Sequence, residues 1–401
     1  MRPFTSLIPL EEARSVLLEH AKPVLEHETV PIENSAGRVI AIDVEARINV
    51  PPFARSAMDG YAVVAEDTYG AGEFSPKRLK VVGVVRAGDE SAVKVSPGHA
   101  VEVATGAVHP EGADAVVKVE RTEITDDALK VFKPVHPQEN VSQAGSDIAS
   151  GALALKHGDV LHPGKIGVLA ALGIGEVEVL RKPAVAVAPT GNEVCELGKE
   201  PTPSQVYDVN SYTIMSLAEG NGCDATRHPV VEDTLESIGA LLDEVKESDV
   251  VIFSGGSSVG ERDILVDVLA ERGEVIFHGV QIKPGKPTLF GRIGEQLVFG
   301  LPGYPAACLT VGNALIAPAL RKLASLPEGT VNKGKFKLAK RVVSTLGRHQ
   351  FLTVRIENEM AVPVFKESGA ITSLGDADGY MEIPDNTDFI EKGEIVEVIF
   401  F

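Results

Sequence analysis

The chain has 401 residues, of which 44% are hydrophobic, and its formal net charge is −19. This length exceeds what one compact core accommodates, so we expect two to four domains, and the composition excludes a disordered chain. The excess of negative charge repels nucleic-acid phosphates and anionic lipid surfaces, which argues against both as general partners.

Cysteine usage and apolar runs indicate the compartment. The three cysteines, Cys195, Cys223 and Cys308, are widely spaced and form neither a CxxC motif nor an even disulfide framework. Residues 1–7 lack the apolar core of a signal peptide, and no apolar run reaches transmembrane length. We therefore expect reduced thiols, a cytoplasmic location and no membrane segment.

The first part of the chain mixes a helix with short strands. Residues 9–20 have the periodicity of an amphipathic helix, and residues 38–44 alternate like a strand. Residues 50–63, Val-Pro-Pro-Phe-Ala-Arg-Ser-Ala-Met-Asp-Gly-Tyr-Ala-Val, begin with prolines that forbid regular structure, and Asp59-Gly60 is a turn signal. By itself, this segment is most simply interpreted as a structured loop in which Asp59 caps a turn.

A small all-β domain is predicted next. Its strands are expected at residues 79–86, 99–103, 115–119 and 129–132. Thr105 lies in a small-residue turn at a strand end, and Asp147 lies in a polar, glycine-containing loop at 140–148. Mixed character returns with a strand at 152–155, a helix at 165–172 and a strand at 176–180.

From residue 184 strands alternate with helices, which predicts a parallel sheet covered by helices. The strands are expected at 184–188, 223–231, 249–253, 274–279 and 296–300, and the helices at 212–219, at 235–247, after 260 and up to 320. Ligands bind outside the carboxyl ends of such strands. Polar or glycine- and proline-rich loops follow four of these ends, at 190–193, 232–233, 254–260 and 302–305.

The segment 249–263 is the central feature of this region. A buried-strand pattern runs into Ser254-Gly255-Gly256-Ser257, a loop able to point backbone N–H groups at an anion before the next helix begins. The loop ends in Asp263, an acid that suits such a site if a divalent cation bridges it to the anion. An ordinary strand-to-helix turn with a solvated aspartate explains this segment equally well on its own.

Two lysines, Lys283 and Lys286, are stiffened by prolines in Ile-Lys-Pro-Gly-Lys-Pro at 282–287. Two neighbouring cations suit a phosphate or a metal oxyanion, although a surface loop with solvated lysines is the alternative. The loop carboxylates would form a Mg²⁺ and phosphoryl site if they meet in space: Asp59, Asp147, Glu193, Asp233 and Asp263. Residues 335–401 predict a small β-barrel or sandwich, with strands at 336–344, 351–357, 361–365, 379–383 and 395–400.

The motifs together resemble one family. Residues 51–62, the Ser254–Gly260 loop with Asp263, Lys-Pro-Gly-Lys-Pro at 283–287 and Leu-Pro-Gly-Tyr-Pro at 301–305 are similar to the signatures of the MoeA and gephyrin E-domain family of molybdopterin molybdenumtransferases. The resemblance covers essentially the whole chain in order. One departure is Tyr304, where the family usually has asparagine, so a side-chain hydrogen bond from this position is in doubt.

The resemblance implies a multidomain α/β plus β fold in an elongated homodimer. It implies a mixed domain in two segments (1–48 and 148–181), an inserted small β domain (49–147), a three-layer α/β domain with a parallel sheet like that of the adenylyltransferase MogA (182–328), and a C-terminal β-barrel-like domain (329–401). The active site would lie between the α/β domain of one subunit and the inserted domain of the other.

The resemblance also implies the reaction: adenylylated molybdopterin is cleaved, AMP is released, and molybdate is inserted with the help of Mg²⁺. Asp59, Asp147, Asp233 and Asp263 would be catalytic, and Asp233 and Asp263 would hold the metal. The substrate-binding set would be Thr105, Glu193, Ser254, Gly255, Gly256, Ser257, Lys283, Lys286, Pro302, Pro305, Arg348 and Ser368.

Other functions remain open from the sequence. The preceding enzyme of the pathway, the molybdopterin adenylyltransferase, shares the α/β domain and is also a candidate partner. A gephyrin-like scaffold that binds receptor tails is a second alternative, and a dinucleotide-binding enzyme is a third, although no GxGxxG motif follows residues 184–188. Molybdate and tungstate are similar tetrahedral dianions, so the sequence does not separate them.

Overall fold

The computed structural model of the chain describes residues 7–90, 92–125, 128–255, 264–329, 332–364 and 370–401. The chain divides into two compact units. Unit 1 comprises Met1–Glu28, Gly37–Val39 and Val179–Phe401, and unit 2 comprises Thr29–Ala36 and Ile40–Glu178. The chain therefore begins and ends in unit 1, with unit 2 inserted between. The four-domain division stays a prediction.

Eight α-helices lie within the described residues. They are α1 (Leu10–His20), α2 (Pro163–Ala171), α3 (Asn210–Gly220), α4 (Leu235–Glu244), α5 (Ile264–Arg272), α6 (Pro305–Val311), α7 (Ala317–Leu323) and α8 (Thr372–Gly375). A π-helical turn at Gly312–Ile316 joins α6 to α7. Pro318, near the start of α7, has no N–H to donate to the preceding turn, which accounts for the interruption.

The strands of the described residues are numbered in chain order. The strands up to residue 180 are β1 (His27–Pro31), β2 (Val44–Glu45), β3 (Arg55–Ser56), β4 (Gly60–Val63), β5 (Lys77–Val85), β6 (His99–Val103), β7 (Ala115–Lys118), β8 (Thr122–Thr125), β9 (Ala128–Val131), β10 (Val141–Ser142), β11 (Leu153–Leu155) and β12 (Glu176–Leu180). Those up to residue 301 are β13 (Ala184–Pro189), β14 (Val194–Cys195), β15 (Val206–Tyr207), β16 (Asp224–Arg227), β17 (Val250–Ser254), β18 (Glu274–His278), β19 (Ile282–Lys283), β20 (Leu289–Ile293) and β21 (Gln296–Leu301). The last are β22 (Lys333–Leu338), β23 (Val342–Val343), β24 (His349–Glu357), β25 (Met360–Pro363), β26 (Gly379–Ile383), β27 (Phe389–Ile390) and β28 (Ile395–Phe400).

Unit 1 contains a six-stranded sheet between two helical layers, with strand order β16-β13-β17-β21-β20-β18. Alternate residues of its strands enter two different cores, because side chains on a strand alternate between faces. Val250 and Ile252 pack with α1, α3, α6 and α7, whereas Val251 and Phe253 pack with α4 and α5. The result is the three-layer arrangement predicted from the sequence.

The rest of unit 1 is a barrel. Strands β24, β25, β22, β28 and β26 follow one another, and β26 pairs again with β24, which closes five strands into a β-barrel. Strand β19 pairs with β24 as an additional strand, so the barrel is joined directly to the segment that carries Lys283. Of the two C-terminal alternatives from the sequence, the barrel is confirmed.

Unit 2 is built on a six-stranded mixed sheet of order β7-β4-β6-β5-β9-β8. Its two faces form two cores, one around Tyr61, Val117 and Leu129 and the other around Val101 and Val116. The short pairs β3–β10 and β2–β11 join the flanking segments, and α2 begins with His162 as its cap and Pro163 at its first position. The all-β region predicted at 79–133 is confirmed, and the structure extends it by β4.

Several predicted elements are wrong in detail. The strand at 38–44 is absent: Val39 and Ile40 form only isolated bridges, a bend follows, and β2 begins at Val44. The large sheet is mixed, because β20, which the sequence analysis missed, pairs antiparallel with β21 and β18. The strand at 336–344 is split into β22 and β23, and the strand at 223–231 is limited to β16.

The three cysteines are buried and free, as predicted. Burial raises the pKa of Cys223 to about 12, which makes its thiol unreactive at neutral pH. Across the described ranges, none of the helices combines the length and the apolar character needed to cross a membrane.

Candidate functional site

Three parallel strands of unit 1 end in register. Pro189 lies opposite Ser254, and Ser254 lies opposite Leu301. The Thr190 N–H donates to the Ser254 carbonyl at 2.9 Å, and the Gly255 N–H donates to the Leu301 carbonyl at 3.1 Å. These strand ends therefore form one edge of the sheet, the edge at which α/β proteins bind ligands.

Gly255 is required where β17 leaves the sheet. Its φ of +99° is unfavourable for residues with a side chain, and a Cβ built on it would lie 2.4 Å from the Thr190 carbonyl oxygen. The backbone at Gly255 thus passes directly against the end of β13. The Ser-Gly pair at 254–255 fixes the point at which the chain turns out of the sheet toward α5.

Buried oxygen atoms without a partner collect at the same edge. Thr190 Oγ1, Ser254 Oγ and Asn210 Oδ1 are inaccessible to solvent and have no hydrogen-bond partner within the described residues. A buried polar atom left unpaired costs about 1–3 kcal/mol, and native proteins keep few of them. Their concentration at the carboxyl edge makes this edge a candidate functional site.

Asn210 links two loops of this edge. It is 8% exposed at the first position of α3, and its Nδ2 donates to the Gly303 carbonyl at 2.9 Å. It therefore ties the start of α3 to the turn between β21 and α6. The sequence analysis missed Thr190 and Asn210 as site residues, although Thr190 opens one of the four loops predicted to converge.

A buried charge pair supports the start of α3. The Asp208 carboxylate accepts hydrogen bonds from the Ser211 hydroxyl and, at 3.1 Å, from the Ser211 N–H, and Arg227 Nη1 lies 3.5 Å from it. The Arg227 guanidinium stacks over Tyr212 at 5.0 Å from the ring centroid. A carboxylate at a helix N-terminus is electrostatically favourable, so Asp208 fixes where α3 begins.

Two predicted carboxylates lie in loops at this edge. Glu193 is exposed and folds over Gly191, since a Cβ built on Gly191 would lie 2.5 Å from Glu193 Oε1. Asp233 is half-buried and directly precedes Thr234, whose hydroxyl caps α4 by accepting from the Ser237 N–H at 3.1 Å. A parallel bridge between Thr190 and Val231 brings the Asp233 loop to the end of β13.

The segment 282–288, the lysine turn, is rigidly built. Thr288 Oγ1 donates to the Gly285 carbonyl at 2.7 Å, and a Cβ built on Gly285 would lie 2.5 Å from Val311. Lys283 and Lys286 are both half-buried. Lys283 Nζ donates to Thr345 Oγ1 at 2.9 Å, which makes Thr345 a further candidate site residue that the sequence analysis missed.

Arg348 lies next to the lysine turn. It is half-buried and directly precedes β24, in which His349 pairs with Ile282 and Gln350 pairs with Lys283. The structure therefore brings together three of the predicted cationic residues, Lys283, Lys286 and Arg348, within two paired segments. In a chain of net charge −19, three cations on neighbouring segments make this region a candidate site for an anion.

The predicted turn at 301–305 is present at the end of β21. Pro302 is buried. Pro305 is the first residue of α6, a position whose N–H has no partner within the helix, so proline is favourable there. Tyr304 is 65% exposed and makes no side-chain cap to α6. The replacement of the family's usual asparagine thus keeps the turn without a hydrogen bond from this side chain.

In unit 2, Asp59 and Thr105 are in direct contact. Asp59 Oδ1 accepts from the Thr105 N–H at 2.7 Å and from the Thr105 hydroxyl at 3.0 Å. The backbone hydrogen bond, followed by the hydroxyl, lowers the pKa of Asp59 below its ordinary value. Asp59 is therefore an exposed carboxylate that stays ionised at neutral pH.

The loop of Asp147 lies against the segment that leads to Asp59. The N–H groups of Asp147 and Ile148 both donate to the Val50 carbonyl at 3.0 Å, and the Ala57 N–H donates to the Asn140 carbonyl at 2.9 Å. The Gly106 N–H donates to the Ser56 carbonyl at 2.8 Å. Unit 2 therefore gathers the three predicted loops, which carry Asp59, Thr105 and Asp147.

Four predicted site residues, Gly256, Ser257, Asp263 and Ser368, lie outside the described residues. Within the residues that are described, no group of three or more histidine, cysteine, aspartate or glutamate side chains is placed to hold a metal ion. The oxygen atoms at the carboxyl edge, those of Thr190, Ser254, Asn210 and Asp233, are the donor type that Mg²⁺ prefers.

Three family sequence models match the chain in order. The MoeA N-terminal region (domain I and II) matches residues 8–173, the probable molybdopterin binding domain matches residues 186–322, and the MoeA C-terminal region (domain IV) matches residues 335–401. The matched ranges leave only short connecting segments and the first seven residues outside.

Relatives align over most or nearly all of the chain. A putative molybdopterin biosynthesis protein of Methanocaldococcus jannaschii is 35% identical over 99% of both chains. A molybdopterin molybdenumtransferase of Haemophilus influenzae is 36% identical over 79% of this chain and 78% of its own.

Solved structures agree with the sequence relatives. A molybdopterin biosynthesis MoeA protein of Pyrococcus horikoshii superimposes with a TM-score of 0.85 at 43% identity, and covers 98% of this chain and 99% of its own. A second structure from that organism gives a TM-score of 0.84 at 32% identity, over 99% of this chain and 100% of its own. The chain therefore belongs to the MoeA family of molybdopterin biosynthesis proteins.

Proposed function

We propose that the protein is a molybdopterin molybdenumtransferase that inserts molybdate into adenylylated molybdopterin and releases AMP. The observation that carries the proposal is the cationic group of a strongly acidic chain: Lys283 lies on β19, Lys286 lies in the turn that follows, and Arg348 directly precedes β24. A dianion such as molybdate needs a local positive site of this kind. The Haemophilus influenzae relative is named a molybdopterin molybdenumtransferase.

Residues of different charge have different proposed roles. We propose that Lys283, Lys286 and Arg348 bind the oxyanion and neutralise its charge. The edge formed by Thr190, Ser254 and Gly255 supports the pterin and phosphate end of the substrate, with Glu193, Pro302 and Pro305 around it. Asp59, fixed in its ionised state by Thr105, and Asp147 orient the reacting group by accepting hydrogen bonds.

The Mg²⁺ dependence is a proposal of its own. The unpartnered buried oxygens of Thr190 and Ser254, with Asp233 in the adjacent loop, form an oxygen-only donor set that fits a hard cation. Asp233 and Asp263 would hold the ion. When bound, Mg²⁺ polarises the phosphoanhydride and offsets its negative charge.

The first experiment measures molybdenum cofactor formation by the purified protein from adenylylated molybdopterin and molybdate, with AMP release followed in parallel. We expect Lys283→Ala and Lys286→Ala each to raise the KM for molybdate by roughly tenfold or more, because a charge-assisted contact contributes about 1.5–3 kcal/mol. Lys94→Ala removes an exposed lysine paired with Glu111 in unit 2 and is the matched control. Unchanged molybdate kinetics in both lysine variants would exclude the cationic group as the oxyanion site.

A second experiment addresses the metal. Asp263→Asn removes a charge at constant volume, so we expect a sharp drop in AMP release with an unchanged melting temperature. Chelation with EDTA should abolish AMP release by the wild-type protein, and added Mg²⁺ should restore it. Full turnover in EDTA contradicts the metal dependence. Adenylylation of molybdopterin from ATP alone would instead assign the protein to the preceding step.

We also propose a cytoplasmic homodimer that takes its substrate from the adenylyltransferase. The family resemblance implies that each active site draws Asp59 from one subunit and Lys283 from the other. A solution mass of two chains supports the dimer. Mixing Asp59→Ala with Lys283→Ala protein then tests the sharing: heterodimers with one intact site regain activity, whereas a site within one chain gives no recovery.

A further inference from the structure

The lysine turn is held between two neighbouring backbone segments. On one side, Ile8 forms a parallel bridge with Val280, and the Gln281 N–H donates to the Ile8 carbonyl at 2.8 Å. On the other side, β19 pairs with β24, and the His349 N–H donates to the Gln281 carbonyl at 2.9 Å. The position of Lys283 is therefore set by how β24 is held.

The two faces of the β19–β24 pair have different roles. Side chains alternate along a strand, so His349 and Phe351 share one face of β24 and Gln350 lies on the other. Ile282, paired with His349, is fully buried and packs with Phe351 in the large core. Lys283, paired with Gln350, lies on the opposite face, and Arg348 directly precedes His349 in the chain. Fixing the face of His349 thus fixes the direction of Lys283 and the backbone position of Arg348.

On this face of β24, His349 belongs to a hydrogen-bonded group with Glu382 and Arg14. Glu382 lies on β26 opposite Phe351, and its Oε2 accepts from His349 Nε2 at 3.1 Å. Its other oxygen, Oε1, accepts from Arg14 Nη2 of α1 at 3.2 Å. Arg14 Nε also donates to the Ala314 carbonyl in the π-helical turn at 3.2 Å. We call Arg14, His349 and Glu382 the brace.

The brace is partly shielded from water, with side-chain exposures of 27% for Arg14, 26% for Glu382 and 21% for His349. Burial acts to raise the pKa of Glu382, but the hydrogen bond from His349 and the charge of Arg14 outweigh it, so the pKa is lowered overall. An ionised Glu382 only accepts hydrogen bonds, so the Nε2 proton belongs to His349. Each oxygen of Glu382 therefore has a different donor from a different element.

We propose that Glu382 is a positioning residue for the oxyanion site: it joins α1 to β24 through Arg14 and His349, and so holds Lys283 and Arg348 in place for molybdate. The inference rests on the proposed function and deepens it. Removal of Glu382 leaves Arg14 with Glu11, at 2.7 Å, and the Ala314 carbonyl as acceptors, but it takes away the acceptor of His349 Nε2. The hydrogen-bonded link between α1 and β24 is then lost, and the two elements can shift relative to each other. A displacement of about 1 Å is enough to impair a positioned site severely.

The test compares Glu382→Ala and Glu382→Gln with Glu397→Ala, in the full-length protein. Glu397 is the matched control because it also forms an ion pair in the barrel, with Lys333 at 2.6 Å. That pair is about half exposed, and it joins β22 to β28 rather than to β24, the strand that pairs with the lysine turn. We expect Glu382→Ala to raise the KM for molybdate by roughly tenfold, with kcat close to the wild-type value. Glu382→Gln keeps one acceptor and should fall between, whereas Glu397→Ala should match the wild type.

A second measurement does not depend on activity. Lys283 should react faster with an amine-acylating reagent in Glu382→Ala than in the wild type, measured by mass spectrometry of the peptide, while Lys94 should react equally in both. A wild-type KM together with wild-type Lys283 labelling overturns the inference, as does a rise in KM that Glu397→Ala reproduces. Absence of molybdate insertion by the wild type overturns the proposed function instead, and the labelling result then still decides whether Glu382 holds Lys283.

Discussion

Within each unit, single hydrogen bonds join predicted site residues to partners that lie far away in the chain. Asp59 and Thr105 are 46 positions apart, yet two bonds from Thr105 reach one carboxylate oxygen. Lys283 and Thr345 are 62 positions apart and form another such contact. Each bond fixes a side chain that would otherwise be solvated and mobile, so an exposed loop residue acquires a defined position and charge.

Replacing Thr105 by valine should raise the pKa of Asp59 toward its ordinary value. The substitution removes the hydroxyl donor and keeps the stronger backbone donor, so we expect a partial rise, measured by NMR titration of the Asp59 carboxyl. Thr122→Val, which removes a hydroxyl bonded to the Val119 carbonyl, is the control. An unchanged Asp59 titration in Thr105→Val contradicts the assignment.

The lowered pKa of Asp59 makes the free energy of unfolding depend on pH in a defined direction. The pKa of Asp59 is lowered in the folded state, so its contribution to stability is present above the unfolded pKa, near 3.8, and is lost as the pH falls through the folded pKa. Thr105→Val should therefore slightly lower the free energy of unfolding at neutral pH relative to the wild type. In acid, the two proteins should have the same free energy of unfolding as far as Asp59 is concerned. Urea denaturation at neutral and acid pH measures it.

At the scale of elements, the site is formed by the ends of strands rather than by their length. The last residues of β13, β17 and β21 lie opposite one another in the sheet, and a separate loop begins after each of them. The loops at 255 and 303 lie against each other: a Cβ built on Gly303 would be 3.8 Å from the Gly255 Cα, an ordinary van der Waals contact. Polar side chains such as Asn210 then join neighbouring loops.

Gly255→Ala should destabilise unit 1 by about 2 kcal/mol or more, because a left-handed backbone costs about 1–2 kcal/mol and the new Cβ also collides with the Thr190 carbonyl. Gly88→Ala is the matched control, since Gly88 has a φ of +91° but open space around it. The difference between the two variants in urea denaturation isolates the collision. Equal losses would show that the end of β17 is not tightly packed.

The whole molecule has separate cores in its two units. The cores of unit 1 are formed by the large sheet, its helices and the barrel, and those of unit 2 by the faces of its own mixed sheet. Chains with more than one core commonly unfold in more than one step. We therefore expect two transitions in calorimetry.

Core substitutions should assign the two transitions. Phe299→Ala in unit 1 and Leu129→Ala in unit 2 remove fully buried side chains and should cost about 3–5 and 2–5 kcal/mol respectively. Each should lower the midpoint of one transition and leave the other unchanged. If either variant shifts both transitions by the same amount, the two units unfold as one.

Elements with strong periodicity were predictable, and those set by tertiary pairing were not. The buried run of β17 and the amphipathic α4 follow from their patterns alone. The alternation at 38–44 does not become a strand, because the chain bends after the bridges at Val39 and Ile40. Strand β20 was not predicted, because no helix separates it from the lysine turn as the alternating pattern requires. It forms by antiparallel pairing with β18 and β21.

The sequence by itself determined the classes of structure and the features behind the predicted anion site: glycine and serine after a buried strand, two lysines stiffened by prolines, and a strongly acidic background. These depend on local backbone preferences and on charge, which neighbouring residues carry. Only the tertiary structure decided which residues meet. Asn210 with Gly303, Lys283 with Thr345, and Glu382 with both Arg14 and His349 are contacts between distant segments, and they exist because the sheet and the barrel bring those segments side by side.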